Sequence, residues 1–222
     1  MKVMLKADLH THAGTHSKRK VLSYTPRDLI SYASKRGYNV ISITNHDILT
    51  YSKGLRDYAK KRGILLIPGV EKKIEGKEVI ILNISRELMR KIKTFTDLEK
   101  YKNENLFVFA PHPFYPDPKA LHSKLIENIR LFDGIEFSHF YLSWITFNTE
   151  AVKTARKYKL PLIGTSDCHL LEQLNYTYTL IDSEKSIDAV FGALRKRKAR
   201  LVTRPLPFFK AIRFLFEIYV KY

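Results

Sequence analysis

The segment that most constrains this chain is Asp8-Leu9-His10-Thr11-His12, at the end of an apolar run over residues 3–9. The run reads as a strand, and side chains two apart on a strand share a face. His10 and His12 therefore converge in a geometry that chelates a metal ion. Comparable groups recur down the chain. His46 follows the apolar residues 39–44 in Thr44-Asn45-His46-Asp47. Glu71 closes residues 64–70, His112 follows 106–110, and His139 follows 134–138. Asp167 and His169, again two apart, follow residues 160–165. Each group stands where a strand passes into a loop.

Helical segments separate these strands. One starts at Thr25-Pro26, with threonine as N-cap and proline at the first helical position, and stops near Gly37. Others are expected over residues 51–62, 97–104 (Thr96 as N-cap), 119–131, 144–158 and 187–197. Residues 78–84 return as a strand after a turn at Glu75-Gly76-Lys77, and 176–181 form a short strand. Strands alternating with helices imply an α/β fold with a mostly parallel sheet. The expected form is a closed or nearly closed β/α barrel. In such a barrel the C-terminal strand ends share the face that carries active sites. Seven of the eight histidines fall at or just after such an end, His16 lying in the loop after His12; His122, inside an expected helix, does not. Cys168, between Asp167 and His169, should face away from them and pack. Glu136 alternates away from Phe137 and His139 and receives no role.

Length and composition set the outer bounds. A chain of 222 residues without a repeat or a Gly/Ser linker suits one domain with ample core. Its single cysteine excludes a disulfide framework and a cysteine-based zinc finger. Charge and histidine within the first dozen residues argue against a secretory signal. No uncharged apolar run reaches the roughly 18 residues a spanning helix needs, so a cytoplasmic protein is expected. Lys and Arg number 39 against 22 Asp and Glu, a net charge of +17 that favours polyanionic partners such as nucleotides or nucleic acid. Lys18, Arg19 and Lys20, in the loop after the first histidine pair, are candidates to contact substrate phosphates.

Taken in order, Asp8-Leu9-His10-Thr11-His12, Asn45-His46-Asp47, Gly69-Val70-Glu71, Pro111-His112-Pro113 and Ser166-Asp167-Cys168-His169 resemble the motifs of the PHP (polymerase and histidinol phosphatase) family. The resemblance runs from about residue 6 to 205. It implies a distorted TIM-like barrel of the (β/α)7 type that binds two or three divalent metals (Zn, Mn or Fe) and hydrolyses phosphoesters. Carried over by motif, His10, His12, Glu71 and Asp167 hold one metal. Glu71 bridges to a second, held by His112 and His139. A third sits among His16, His46 and His169. His10, His12, His46, Glu71, Asp167 and His169 thereby carry the catalysis. The sequence departs from the pattern at three places: His16 follows His12 sooner than usual, Asn45 stands where aspartate is common, and Ile80 where histidine is frequent.

The expected activity is hydrolysis of nucleotides or short nucleic-acid ends by metal-activated water. A small-phosphomonoester phosphatase of the histidinol-phosphate type is the enzymatic alternative. A non-catalytic RNA-binding subunit, related to the barrel protein of ribonuclease P, is the alternative from another class. Residues 206–222 form a separate C-terminal element after Pro205 and Pro207. Residues 208–222 read as a very apolar helix with Lys210, Arg213, Glu217 and Lys221 along one face. It is expected to pack on the barrel or to join a second copy in a homo-oligomer, with membrane-surface or partner binding as the alternative.

Overall fold

A computed structural model describes residues 4–17 and 20–219. Along the chain come β1 (Met4–Thr11), β2 (Thr15–Ser17), β3 (Lys20–Val21), α1 (Pro26–Ser34), β4 (Val40–Ile43), α2 (Lys53–Lys61), β5 (Leu65–Ile74), β6 (Lys77–Leu82), α3 (Arg86–Lys91), α4 (Phe95–Tyr101), β7 (Phe107–Ala110), α5 (Ser123–Glu127), β8 (Gly134–Ser138), α6 (Thr149–Lys157), β9 (Leu162–Thr165), β10 (Thr177–Asp182), α7 (Ile187–Arg195), β11 (Ala199–Thr203) and α8 (Phe208–Tyr219). Nine strands form one sheet in the order β11-β10-β1-β4-β5-β6-β7-β8-β9. β2 and β3 pair with each other in what the sequence suggests is a plain loop.

The sheet curls into a nearly closed α/β barrel. Its seam lies between β1 and β9 and is stitched at the C-terminal strand ends. There Thr11 bridges Cys168, Asp167 N donates to His10 O at 2.9 Å, and His12 N donates to Cys168 O at 3.2 Å. β9 also approaches β10 closely because residue 164 is glycine. A Cβ there would sit 2.8 Å from the backbone oxygen of Tyr178. Thr179 fills the gap, its Oγ1 accepting from Gly164 N and donating to Gly164 O. Leu5, Ile67, Ile80, Phe109 and Ile163, from five strands, meet in one buried cluster that Phe191 of α7 joins.

The sheet is more mixed than the alternation of elements suggests. β1–β4, β4–β5, β7–β8 and β8–β9 are parallel. β5–β6–β7 and β1–β10–β11 run antiparallel. The β5–β6 hairpin follows from Glu75-Gly76, both at positive φ (48° and 83°), as a tight two-residue hairpin turn requires. β11, which begins at Ala199 just after the helix expected over 187–197, is a strand absent from the sequence reading.

Helix starts were legible where a capping side chain marks them. Thr25 caps α1 in a capping box with Asp28. The cap of α4 is Thr94, not Thr96, because Asp97 closes a capping box with the earlier threonine. The single helix expected over 119–131 is instead α5 and a separate 3-10 turn at Ile129–Leu131. His122, at φ 47°, lies just before α5 rather than inside a helix. The helix expected from residue 144 starts at Thr149. Asn148 clamps the preceding loop, its side chain accepting from Ser138 N and donating to Ser138 O, each at 3.0 Å.

Candidate metal centre at the barrel mouth

The candidate ligands arrive at one face because the strands deliver them there. β1 carries His10 and leads into His12, both fully buried, and β5 carries Glu71, only 1% exposed. His46 follows β4 and pairs through its backbone with Glu71. His112 follows β7, His139 follows β8, and Asp167 and His169 follow β9. His112 and Asp167 sit at positive φ (26° and 43°), conformations that non-glycine residues adopt at a cost. Asn45 organises the loop after β1: its side chain accepts from Ala13 N and donates to Ala13 O.

Among the described residues four groups of ligand atoms emerge, each with its atoms within 4.8 Å of one another: His12, His16, His46 and His169; His10, Glu71 and His112; His10, His12 and Asp167; and His46, Glu71 and Glu78. One Glu71 oxygen lies 3.4 Å from both His10 Nε2 and His12 Nε2 and 3.0 Å from His46 Nδ1. The other lies 3.3 Å from His112 Nε2. Eight of the nine residues expected as ligands are thus brought together, though grouped differently. His12 stands with His16, His46 and His169 as well as with His10, and His10 stands with His112. His139 belongs to none of the four groups. Gln173 donates from its amide to His139 Nε2 at 3.0 Å and so occupies that lone pair.

The site fits divalent metal ions on its own chemistry. Both oxygens of Glu71, His10 Nε2, His12 Nδ1, His16 Nδ1 and His139 Nδ1 are buried without a hydrogen bond, so His139 keeps one free nitrogen at the cavity it lines. Such atoms cost stability unless something satisfies them. An imidazole-rich set with a few carboxylates matches the preference of zinc, manganese or iron over calcium.

The electrostatics agree with that donor set. Burial, reinforced by His169, pushes His12 down to about 3, and burial with His12 and His169 pushes His16 down to about 2. Burial would raise Glu71, yet His46 and His10 hold it well below the usual carboxylate range. Asp167 is likewise held low against burial, by His10 and its bond to His12. Burial would lower His112, but Glu71 and Glu136 carry it up to about 9.

Three supporting residues escaped the sequence reading. Glu136 accepts from His10 Nδ1 at 2.8 Å and also bonds His112 N and Thr165 Oγ1. Only the alternation of β8 hinted at it. Glu78, buried on β6, comes within 3.5 Å of His46 Nδ1 and 3.4 Å of Lys119 Nζ. Gln173 accepts from His169 N and Leu170 N at 2.7 Å. Other residues fall outside the centre. His122 Nε2 lies 3.2 Å from Asp117 O. Cys168 packs beside Tyr24, with its thiol pushed up to about 12 by burial. Lys18 and Arg19 lie outside the described residues, and of Lys20 only the backbone, in β3, is described.

The ligands open into a cavity of about 450 Å³ whose walls include Glu78, Tyr115, Lys119, Phe140, Phe147 and Leu215. Barrel and mouth together define a (β/α)-barrel protein with a histidine–carboxylate centre able to bind metal ions. A family model described as PHP-associated matches residues 146–199. The uncharacterized protein MJ1587 of Methanocaldococcus jannaschii is 28% identical over 144 residues, covering 62% of this chain and 83% of that protein. The lesion-specific endonuclease PfuEndoQ of Pyrococcus furiosus superposes with a TM-score of 0.60 at 14% identity, over 96% of this chain and 66% of the endonuclease. A Bifidobacterium adolescentis protein assigned to the metal-dependent phosphoesterases superposes with a TM-score of 0.52 at 16% identity, over 74% of this chain and 87% of its own. The two superpositions establish the shared fold. The matched segment and the ordered motifs are similar to those of the PHP family.

Proposed function

We propose that this protein is a metal-dependent phosphoesterase that uses two or three Zn, Mn or Fe ions on nucleotides or short nucleic-acid ends. The observation that carries the reading is the gathering of histidine nitrogens and carboxylate oxygens, several of them buried and unbonded, into adjoining clusters at the mouth. An inert RNA-binding barrel has no use for such a set. The phosphoesterase and endonuclease among the structural relatives support the reaction class. The basic excess supports a polyanionic substrate, and the single, unbridged cysteine is in keeping with a cytoplasmic compartment.

Each residue has a definite task in this reading. His10, His12 and Asp167 would hold one ion, His10, Glu71 and His112 would hold another, and His12, His16, His46 and His169 would form a further site. Divalent ions bound there supply polarisation of the phosphoryl group and activation of water. Glu136 accepts a hydrogen bond from His10 Nδ1–H and so keeps the Nε2 lone pair facing inward. Lys119 stands at the wall to meet a phosphate oxygen, with Glu78 fixing its ammonium. Lys18, Arg19 and Lys20 remain candidates for further phosphates.

The test is a panel of phosphomonoesters, bisphosphorylated nucleotides and short RNAs, each assayed with added Mn or Zn. Metal-dependent turnover of at least one nucleotide or RNA is expected. A metal-loaded protein inert toward the whole panel would defeat the reading, and turnover of small phosphomonoesters alone would redirect it to the phosphatase alternative.

A further inference from the structure

The described residues expose eleven large apolar side chains, and eight of them fall in two segments that meet beside the mouth. Trp144, Ile145 and Phe147 lie in the loop that Asn148 clamps. Phe208, Phe209, Ile212, Leu215 and Phe216 lie on α8. The rings of Trp144 and Phe208 are 6.3 Å apart, and Phe147 and Leu215 line the same cavity. The two segments therefore make one continuous face along an edge of the active-site opening.

Helical geometry divides α8 into three sectors. At 3.6 residues per turn, Ala211 and Phe214 point to one side, where both are buried in a cluster with Tyr176 and Leu206. Lys210, Arg213 and Glu217 take a second. Phe208, Phe209, Ile212, Leu215 and Phe216 take the third, an arc of about 120°. A surface helix ordinarily turns its single apolar stripe inward. This one keeps a second stripe outward, with Phe209 82% exposed.

We propose that this face docks on an anionic lipid surface. Three features select that occupant. A helix with phenylalanines on one arc, and on the next Lys210 beside an Arg213 that pairs with Glu172, suits the boundary between headgroups and acyl chains through its apolar arc, while the charge of the whole chain supplies the attraction. Aliphatic Ile145, Ile212 and Leu215 interleave with the rings, and the exposed rings meet at interplanar angles of 38° and 66°, an arrangement made for hydrocarbon more than for parallel stacking of bases. A chain of net charge +17 is repelled by a second copy of itself and attracted by the negative potential of an anionic leaflet. Docking sets one edge of the cavity mouth against the headgroups, and it does not depend on the reaction proposed above.

Trp144 is the only tryptophan, so its fluorescence reports on this face directly. The full chain is to be mixed with vesicles of phosphatidylcholine alone and of phosphatidylcholine with phosphatidylglycerol, without added metal. Flotation is expected to recover about tenfold more protein with the anionic vesicles, and the emission should shift to the blue. The double variant Phe209→Ser/Phe216→Ser should lose both responses while keeping its circular dichroism and melting temperature, because both side chains are exposed. Equal recovery on the two vesicle types, no spectral shift, or unchanged binding by the double variant would overturn the proposal. So would a dimer in sedimentation that the double variant dissolves, or Trp144 quenching by oligothymidylate without a response to vesicles.

Discussion

Glu136 Oε1 accepts a hydrogen bond from His10 Nδ1 at 2.8 Å, joining residues 126 apart in the chain. Neither side chain has any access to solvent. The bond fixes the tautomer and the ring angle of an imidazole that belongs to two of the four ligand groups. Glu136→Gln keeps the shape but turns an acceptor into an amide. Metal affinity should fall about 10–100-fold, read by calorimetric titration of the metal-free protein. An unchanged affinity would leave Glu136 with a packing role only.

His10→Ala removes the shared imidazole itself. Metal retained through dialysis and metal-dependent phosphoester turnover should both be lost, while the far-ultraviolet spectrum stays that of the parent. His122→Ala is the control, since that ring lies against Asp117 O away from the centre. Full activity in the His10 variant would undo the site assignment.

The unbonded atoms of Glu71, His10, His12 and His16 mean that the metal-free chain carries a buried cost at the mouth. Metal binding to the folded state alone stabilises by mass action, about 2.7 kcal/mol at a hundred times Kd. For a chain of this size the melting temperature should rise by about 5–10 °C on adding Zn or Mn. Chelator should reverse the shift, and identical melting curves with and without metal would contradict the donor set.

Gly164 holds β9 against β10 where no Cβ fits. Gly164→Ala should cost about 1–3 kcal/mol, measured as a lower urea midpoint with an unchanged slope. Because Asp167 follows β9 by two residues, the variant should also bind metal more weakly.

The basic excess predicts that KM for a nucleotide or RNA substrate rises with salt, since exposed charges are screened over a Debye length of about 8 Å near physiological ionic strength. A flat KM would assign the +17 to surfaces away from the substrate.

The barrel class and most of the centre were legible because their signals are local. A strand of alternating pattern ending in His-x-His fixes two donors by backbone geometry alone, and Thr25-Pro26 or Asp97 marks a helix start through one capping bond. What failed locally failed for a tertiary reason. The helix expected from residue 144 begins only at Thr149, because Asn148 spends its side chain on Ser138 and holds 144–148 as a loop. β6 reverses between β5 and β7 because a two-residue turn leaves it no room for a crossover.

The sequence by itself determined which side chains reach the mouth, because the period of a strand dictates which residues share its end and face. Only the tertiary structure decided how those side chains share their partners. Glu71 touches four histidines from three strand ends and a loop, Glu136 buttresses His10, and Gln173 bonds Nε2 of His139. Those choices depend on where separate strands stand around a closed wall, a distance in space that no spacing along the chain encodes.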